Sequence, residues 1–182
     1  MKEFRYEGEK LREISFPVGG IGAGCVGLAG NGAFVDWEIG NRPAKGQLNP
    51  FTHIAVKAFS GDRLLDARVL QGDYQARLSG QYEGNSVRHH GYGYGAPSGT
   101  MAGFPHFEKC TFYGAFPAAR LEFSHESFPG RAELTAFSSF APLKTDDSSL
   151  PCAFYEVRLT NTAGEPLDYI AAFTLAPALG AG

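Results

Sequence analysis

Apolar and polar positions alternate along most of this chain, the period-2 signature of strands buried on one face only. Ala33-Phe34-Val35-Asp36-Trp37-Glu38-Ile39 alternates, and the Asn31-Gly32 pair before it predicts a hairpin through a type I′ turn, whose two central residues need positive φ. His53 to Phe59 alternates, meets Ser60-Gly61-Asp62, and resumes as Arg63 to Leu70, a second hairpin. In the C-terminal half, Ala119-Arg120-Leu121-Glu122-Phe123 alternates towards the Pro129-Gly130 turn pair, and Arg131 to Ala136 places Ala132, Leu134 and Ala136 on one face. Cys152 to Thr160 puts Ala153, Tyr155, Val157 and Leu159 on one side and Glu156, Arg158 and Thr160 on the other. After the turn residues 161–166, Leu167, Tyr169, Ala171, Phe173 and Leu175 line a final strand. A parallel sheet would read as unbroken apolar runs. Half-polar faces on successive hairpins instead predict an all-β fold, an antiparallel β-sandwich spanning residues 1–182 as one domain. Residues 41–50 and the glycine-rich stretch 71–103 read as loops, and a loop as long as the second is often functional.

The densest glycine run, Phe16-Pro17-Val18-Gly19-Gly20-Ile21-Gly22-Ala23-Gly24-Cys25-Val26-Gly27, contains G-x-G-x-x-G at Gly22, Gly24 and Gly27. In a dinucleotide-binding turn those glycines open a helix and an acidic residue follows about 20 positions on. Here Leu28-Ala29-Gly30-Asn31-Gly32 follows, which no useful helix tolerates, and Lys45-Gly46-Gln47-Leu48-Asn49 stands where the carboxylate is needed. The run is therefore a glycine-laden β-segment, and no nucleotide cofactor is expected.

Twenty-four glycines and eleven prolines in 182 residues fit many short strands joined by tight turns. The net charge is -3 and no Lys/Arg cluster occurs, which excludes the electrostatic footprint of a nucleic-acid binder. No apolar run reaches the roughly 18 residues of a membrane span, and Met1 to Glu7 lacks the apolar core of a secretory signal. The three cysteines Cys25, Cys110 and Cys152 are far apart and without metal-ligand spacing, so buried free thiols in a reducing compartment, the cytoplasm, are expected. The last strand runs into Ala176-Pro177-Ala178-Leu179-Gly180-Ala181-Gly182 with neither a capping helix nor a polar tail, the expectation for a domain cut short at its C-terminal end.

Candidate chemistry is sparse. Asp36 and Glu38 share a strand face about 7 Å apart, a separation a pair of glycosidase carboxylates can use, although polar residues on the solvent face of a hairpin are far commoner. Asp146 and Asp147, within Lys144 to Pro151, read as an Asx/Ser turn or as a cation or sugar-hydroxyl contact. His53, His89, His90, His106 and His125 offer no H-x₃₋₅-H pair, so no metal is expected. No G-x-S-x-G elbow marks a nucleophile. Trp37, Tyr92 and Tyr94 are the candidates for a substrate or domain interface. Aromatic faces stack on sugar rings at low entropy cost, although Trp37 in an alternating strand also suits the core.

Phe16-Pro17-Val18-Gly19-Gly20-Ile21-Gly22-Ala23-Gly24, followed by Gly32-Ala33-Phe34 and Trp37, resembles the opening of glycoside hydrolase family 116, the family of the bile acid β-glucosidase or non-lysosomal glucosylceramidase. A second block agrees in order and spacing: Phe112 to Pro117, Ala136 to Leu143, Asp146 to Pro151, and the strand closing on Leu159-Thr160-Asn161. The resemblance covers most of residues 14–182 and implies the N-terminal β-sandwich of a two-domain enzyme. Its partner would be a C-terminal (α/α)₆ catalytic domain that cleaves β-glycosides with retention and needs no metal or organic cofactor. The family's nucleophile and acid/base belong to that barrel, so no catalytic residue is expected in this chain. The chain departs from the family's Arg-Trp-Gln-type stretch at Asp36-Trp37-Glu38, and residues 84–99 align with nothing in it. A stand-alone carbohydrate-binding or oligomerisation module is the alternative.

Overall fold

The computed structural model describes residues 3–40, 42–49, 51–74 and 100–177. Among them are eleven strands in three antiparallel sheets and one short α-helix. The largest sheet takes β1 (Phe4–Glu7), β7 (Lys109–Ala115), β8 (Ala118–Ser124), β9 (Arg131–Phe137) and β10 (Phe154–Thr160) in the order β1-β7-β8-β9-β10. The second has the order β11-β5-β6, from β5 (His53–Ser60), β6 (Arg63–Val69) and β11 (Asp168–Thr174). The third is the meander β2 (Ser15–Gly20), β3 (Gly24–Ala29) and β4 (Phe34–Ile39). Each pairing is antiparallel, so the fold is the all-β sandwich that the alternating pattern predicts.

Alternation determines the core. Ala119, Leu121 and Phe123 on β8 and Ala132, Leu134 and Ala136 on β9 are buried, as are Ile54, Val56 and Ala58 on β5, and all belong to one cluster. Tyr169, Ala171 and Phe173 of β11 pair with Ala58, Val56 and Ile54, so they share that inner face. Phe34 wedges the third sheet into the sandwich, its ring 5.1 Å from that of Tyr155 on β10 and 5.7 Å from that of Phe173 on β11. β10 and β11 are edge strands of their own sheets, and there the inner face thins out: Phe173 remains 55% exposed.

Two turns differ from expectation in an informative way. The β3–β4 hairpin exists, but only Gly32 has positive φ, at +90°. The Gly32 N–H bonds to the Ala29 carbonyl, and Ala29 N–H to the Ala33 carbonyl, the pattern of a three-residue loop with a left-handed glycine instead of a type I′ turn. Asn31 serves through its side chain, accepting the Ala33 N–H at 3.1 Å. The glycine run is itself a hairpin, with Gly22 at φ +75° in the turn between β2 and β3. At Asp146-Asp147 the chain forms one helical turn, α1 (Thr145–Ser148), not an Asx turn, and the hydroxyl of buried Ser148 bonds to both the N–H and the carbonyl of Ala141.

Leu134→Ala removes a wholly buried side chain from the centre of the largest sheet and is expected to cost about 2–5 kcal/mol of stability in urea unfolding. Ile170→Ala, at a 53% exposed position on β11, is expected to change it by about 0.5 kcal/mol or less.

Candidate functional site

The region around β4 is built on an irregularity. Cys25 pairs with Glu38 and Gly27 with Val35, so Asp36 and Trp37 together oppose the single residue Val26, a β-bulge. Asp36 takes φ +50°, a left-handed conformation that aspartate tolerates better than most residues. The bulge resets the alternation: Trp37 packs against the main core, while the carboxylates of Asp36 and Glu38 converge on Lys45.

Asp36 is 2% exposed, and burial on that scale requires partners. It accepts the Ser15 hydroxyl at 2.6 Å and the Gly46 N–H at 2.6 Å, with Lys45 Nζ 3.7 Å away. Ser15 lies on β2, beyond β3, and its hydroxyl reaches Asp36 over Gly27. A Cβ on Gly27 would lie 2.3 Å from Ser15 Oγ and 3.1 Å from the Val35 carbonyl oxygen. The third glycine of the nucleotide-like motif therefore clears the path of a hydrogen bond. Glu38 accepts Lys45 Nζ at 2.9 Å, the Ala44 N–H at 3.4 Å and the Cys25 thiol at 3.7 Å. The bond from Lys45 holds the Glu38 carboxyl below its ordinary range against an opposing push from desolvation, and raises the Lys45 ammonium in turn. Desolvation, then the Glu38 charge, push the Cys25 thiol up. Burial pushes Cys110 up to about 12, so neither thiol is poised as a nucleophile. All three cysteines are free, and they are half-buried, not buried as the sequence suggests.

These carboxylates clamp residues 44–46 to the sheet, helped by a bridge between Val35 and Leu48. Between this clamped loop and β4 lies a cleft of about 370 Å³, lined by Trp37, Ile39, Arg42, Gln47, Asn49 and Pro177 among others. The indole N–H of Trp37 donates to the Phe34 carbonyl at 3.4 Å, which fixes the ring. Asn49 Nδ2 donates to the Thr52 hydroxyl at 2.9 Å and to the Ala176 carbonyl at 2.7 Å, joining the loop to the segment after β11.

On the other side of the β3–β4 ladder, where Gly24 pairs with Ile39, the glycine hairpin borders an apolar groove of about 240 Å³. Pro17, Ile21, Phe116 and Phe140 line it, the last two rings 5.0 Å apart and edge-on. Ile21 is 58%, Phe116 46% and Phe140 40% exposed, and Leu143 and Leu150 nearby in sequence are exposed too. The hairpin sits tight against its neighbours: a Cβ on Gly20 would fall 2.2 Å from the Leu150 carbonyl oxygen.

The sequence singles out Trp37, Asp36 and Glu38, and the structure brings all three to this strand, the carboxylates as a clamp and not as an open pair. Lys45, Gln47 and Asn49 carry no sequence signal, because a loop packed on a bulge has no periodicity, and Ser15, at the start of β2, carries none because its partner Asp36 lies two strands away. Tyr92 and Tyr94, like His89 and His90, lie outside the described residues. Among the described residues no group of three His, Cys, Asp or Glu could hold a metal ion, and no helix is long and apolar enough to cross a membrane.

Residues 15–182 match the family described as beta-glucosidase 2, glycosyl-hydrolase family 116 N-term. No curated protein matches the chain.

Because Glu38 ionises more readily in the folded state than in the unfolded chain, the stability it confers is present above the unfolded carboxylate value, about 4.3, and lost as pH falls through the lower folded value. Glu38→Gln is therefore expected to be less stable than the parent near pH 7, with the two urea midpoints converging as the pH falls below about 4.

Proposed function

The chain belongs to glycosyl hydrolase family 116, whose N-terminal domain it matches over residues 15–182, and from that premise we propose that it is the non-catalytic β-sandwich module of a retaining β-glucosidase or glucosylceramidase-like enzyme. One observation carries this reading. Retaining hydrolysis needs two carboxylates about 5–5.5 Å apart and open to a glycosidic bond. The pair that the strand pattern offers does not meet that need, since Asp36 is 2% exposed and both groups are engaged by Lys45 and by backbone N–H groups. A buried carboxylate held by hydrogen bonds from Ser15 and Gly46 is a structural acid, not a nucleophile.

The chemistry then falls to the helical catalytic domain, by double displacement through a glycosyl-enzyme intermediate on a β-glycoside substrate. The exposed apolar groove of Ile21, Phe116 and Phe140 is the surface we assign to that domain. Exposed apolar side chains gathered around one groove, with the Phe116 and Phe140 rings edge-on to each other, support an interaction face there. Residues 1–182 act in this reading as one domain, and the free thiols of Cys25, Cys110 and Cys152 support a reducing, cytoplasmic setting.

The purified chain is expected to release no aglycone from an aryl β-glucoside, while the protein carrying both domains does; turnover by the chain alone overturns the proposal. Ile21→Asp combined with Phe140→Asp is expected to weaken association with the separately produced helical domain by about tenfold or more in a calorimetric titration, and undiminished binding would remove the groove from the interface.

A further inference from the structure

We propose that the cleft between β4 and residues 42–49 is a subsite for a neutral pyranose ring, stacked on Trp37 and hydrogen-bonded by Arg42, Gln47 and Asn49. This goes beyond the docking role above and uses none of its residues.

The first argument is complementarity. The cleft, at about 370 Å³, falls in the range of about 300–1,000 Å³ typical of small-molecule sites, and its wall combines Trp37, Ile39, Pro43 and Pro177 with polar side chains. Apolar rings facing a few convergent polar groups suit a sugar, which presents C–H groups on one face and hydroxyls around its rim. The donor and acceptor inventory selects the charge class. The Arg42 guanidinium offers only donors, and the Gln47 amide offers both donors and an acceptor. Neither has a partner among the described residues. The amide nitrogen of Asn49 is taken by Thr52 and Ala176, which fixes the group and leaves its Oδ1 as an acceptor without a partner among the described residues. An anion would call for donors alone and a cation for acceptors alone. A mixed set suits hydroxyl groups, each of which both donates and accepts.

The second argument is pre-organisation. A loop that had to order itself around a weakly bound sugar would lose most of the affinity to entropy. Here Asp36 holds the Gly46 N–H, Glu38 holds Ala44 and Lys45, and Leu48 bridges to Val35, so the wall bearing Arg42 and Gln47 is positioned before any ligand arrives. The two carboxylates that resemble a catalytic pair thereby serve as positioning residues for a binding wall.

Trp37 is the only tryptophan of the chain, so its fluorescence reports on this cleft alone. Titration with methyl β-D-glucopyranoside is expected to give a saturable change in Trp37 emission. Gln47→Ala and Arg42→Ala, both at exposed wall positions, should weaken it by about tenfold each, with unaltered thermal unfolding by circular dichroism. Three results would each overturn the proposal: no saturable change up to the solubility limit of the sugar, an undiminished response in the Arg42→Ala/Gln47→Ala double variant, or tighter binding of glucuronate than of the neutral glucoside. None of them bears on the apolar groove, whose test measures domain association.

Discussion

The carboxylate of Asp36 is the constraint on which the third sheet and its surroundings depend. A charge at 2% exposure is tolerable only with directed hydrogen bonds, and Asp36 draws them from β2 through Ser15 and from the following loop through Gly46. To reach both, the backbone leaves the β region, and a non-glycine residue held there costs on the order of 1–3 kcal/mol that the surrounding contacts must offset. The return is geometric. The bulge moves Trp37 onto the core and turns Glu38 towards Lys45, so one local distortion sets a hydrophobic anchor and an ion pair together.

The glycines serve close approach more than flexibility. Gly27 lets the Ser15 hydroxyl cross over β3, and Gly20 lets the hairpin lie under the carbonyl of Leu150. The G-x-G-x-x-G spacing, which in another setting brings backbone N–H groups to a pyrophosphate, here brings backbone and side chains of the same chain together. Local packing of the β2–β3 hairpin thus accounts for the tight glycines of the run.

The apolar groove and the cleft share the β3–β4 ladder: Gly24 and Cys25 border the groove, and their partners Ile39 and Glu38 belong to the cleft and its clamp. On the reading proposed above, a domain docked on the glycine hairpin would lie beside the strand that carries Trp37, so a sugar held in the cleft would be presented next to that domain. The Cys25 thiol, bonded to Glu38 and pushed towards its neutral form, sits between the two as a packing group.

The sequence by itself determined what depends on nearest neighbours and on period. Alternation at Ala119-Leu121-Phe123, Ala132-Leu134-Ala136 and Ile54-Val56-Ala58 names the inner faces of three strands, because a side chain's face follows from its parity. Gly61 between Ser60 and Asp62 marks its hairpin turn for the same local reason, and the two motif blocks identify the family. Only the tertiary structure decided the rest. The parity rule fails at Asp36, where one extra residue opposite Val26 changes which side chain meets which neighbour. Nothing in Arg42 to Asn49 signals that this loop folds back onto β4, since the bonds that hold it there run from an irregular loop to the bulge residues Asp36 and Glu38, and Asn49 is tied to Ala176, far along the chain. Two carboxylates one residue apart look alike in sequence whether they cleave a bond or hold a wall. Burial and partners tell them apart, and those exist only once the sheets have packed.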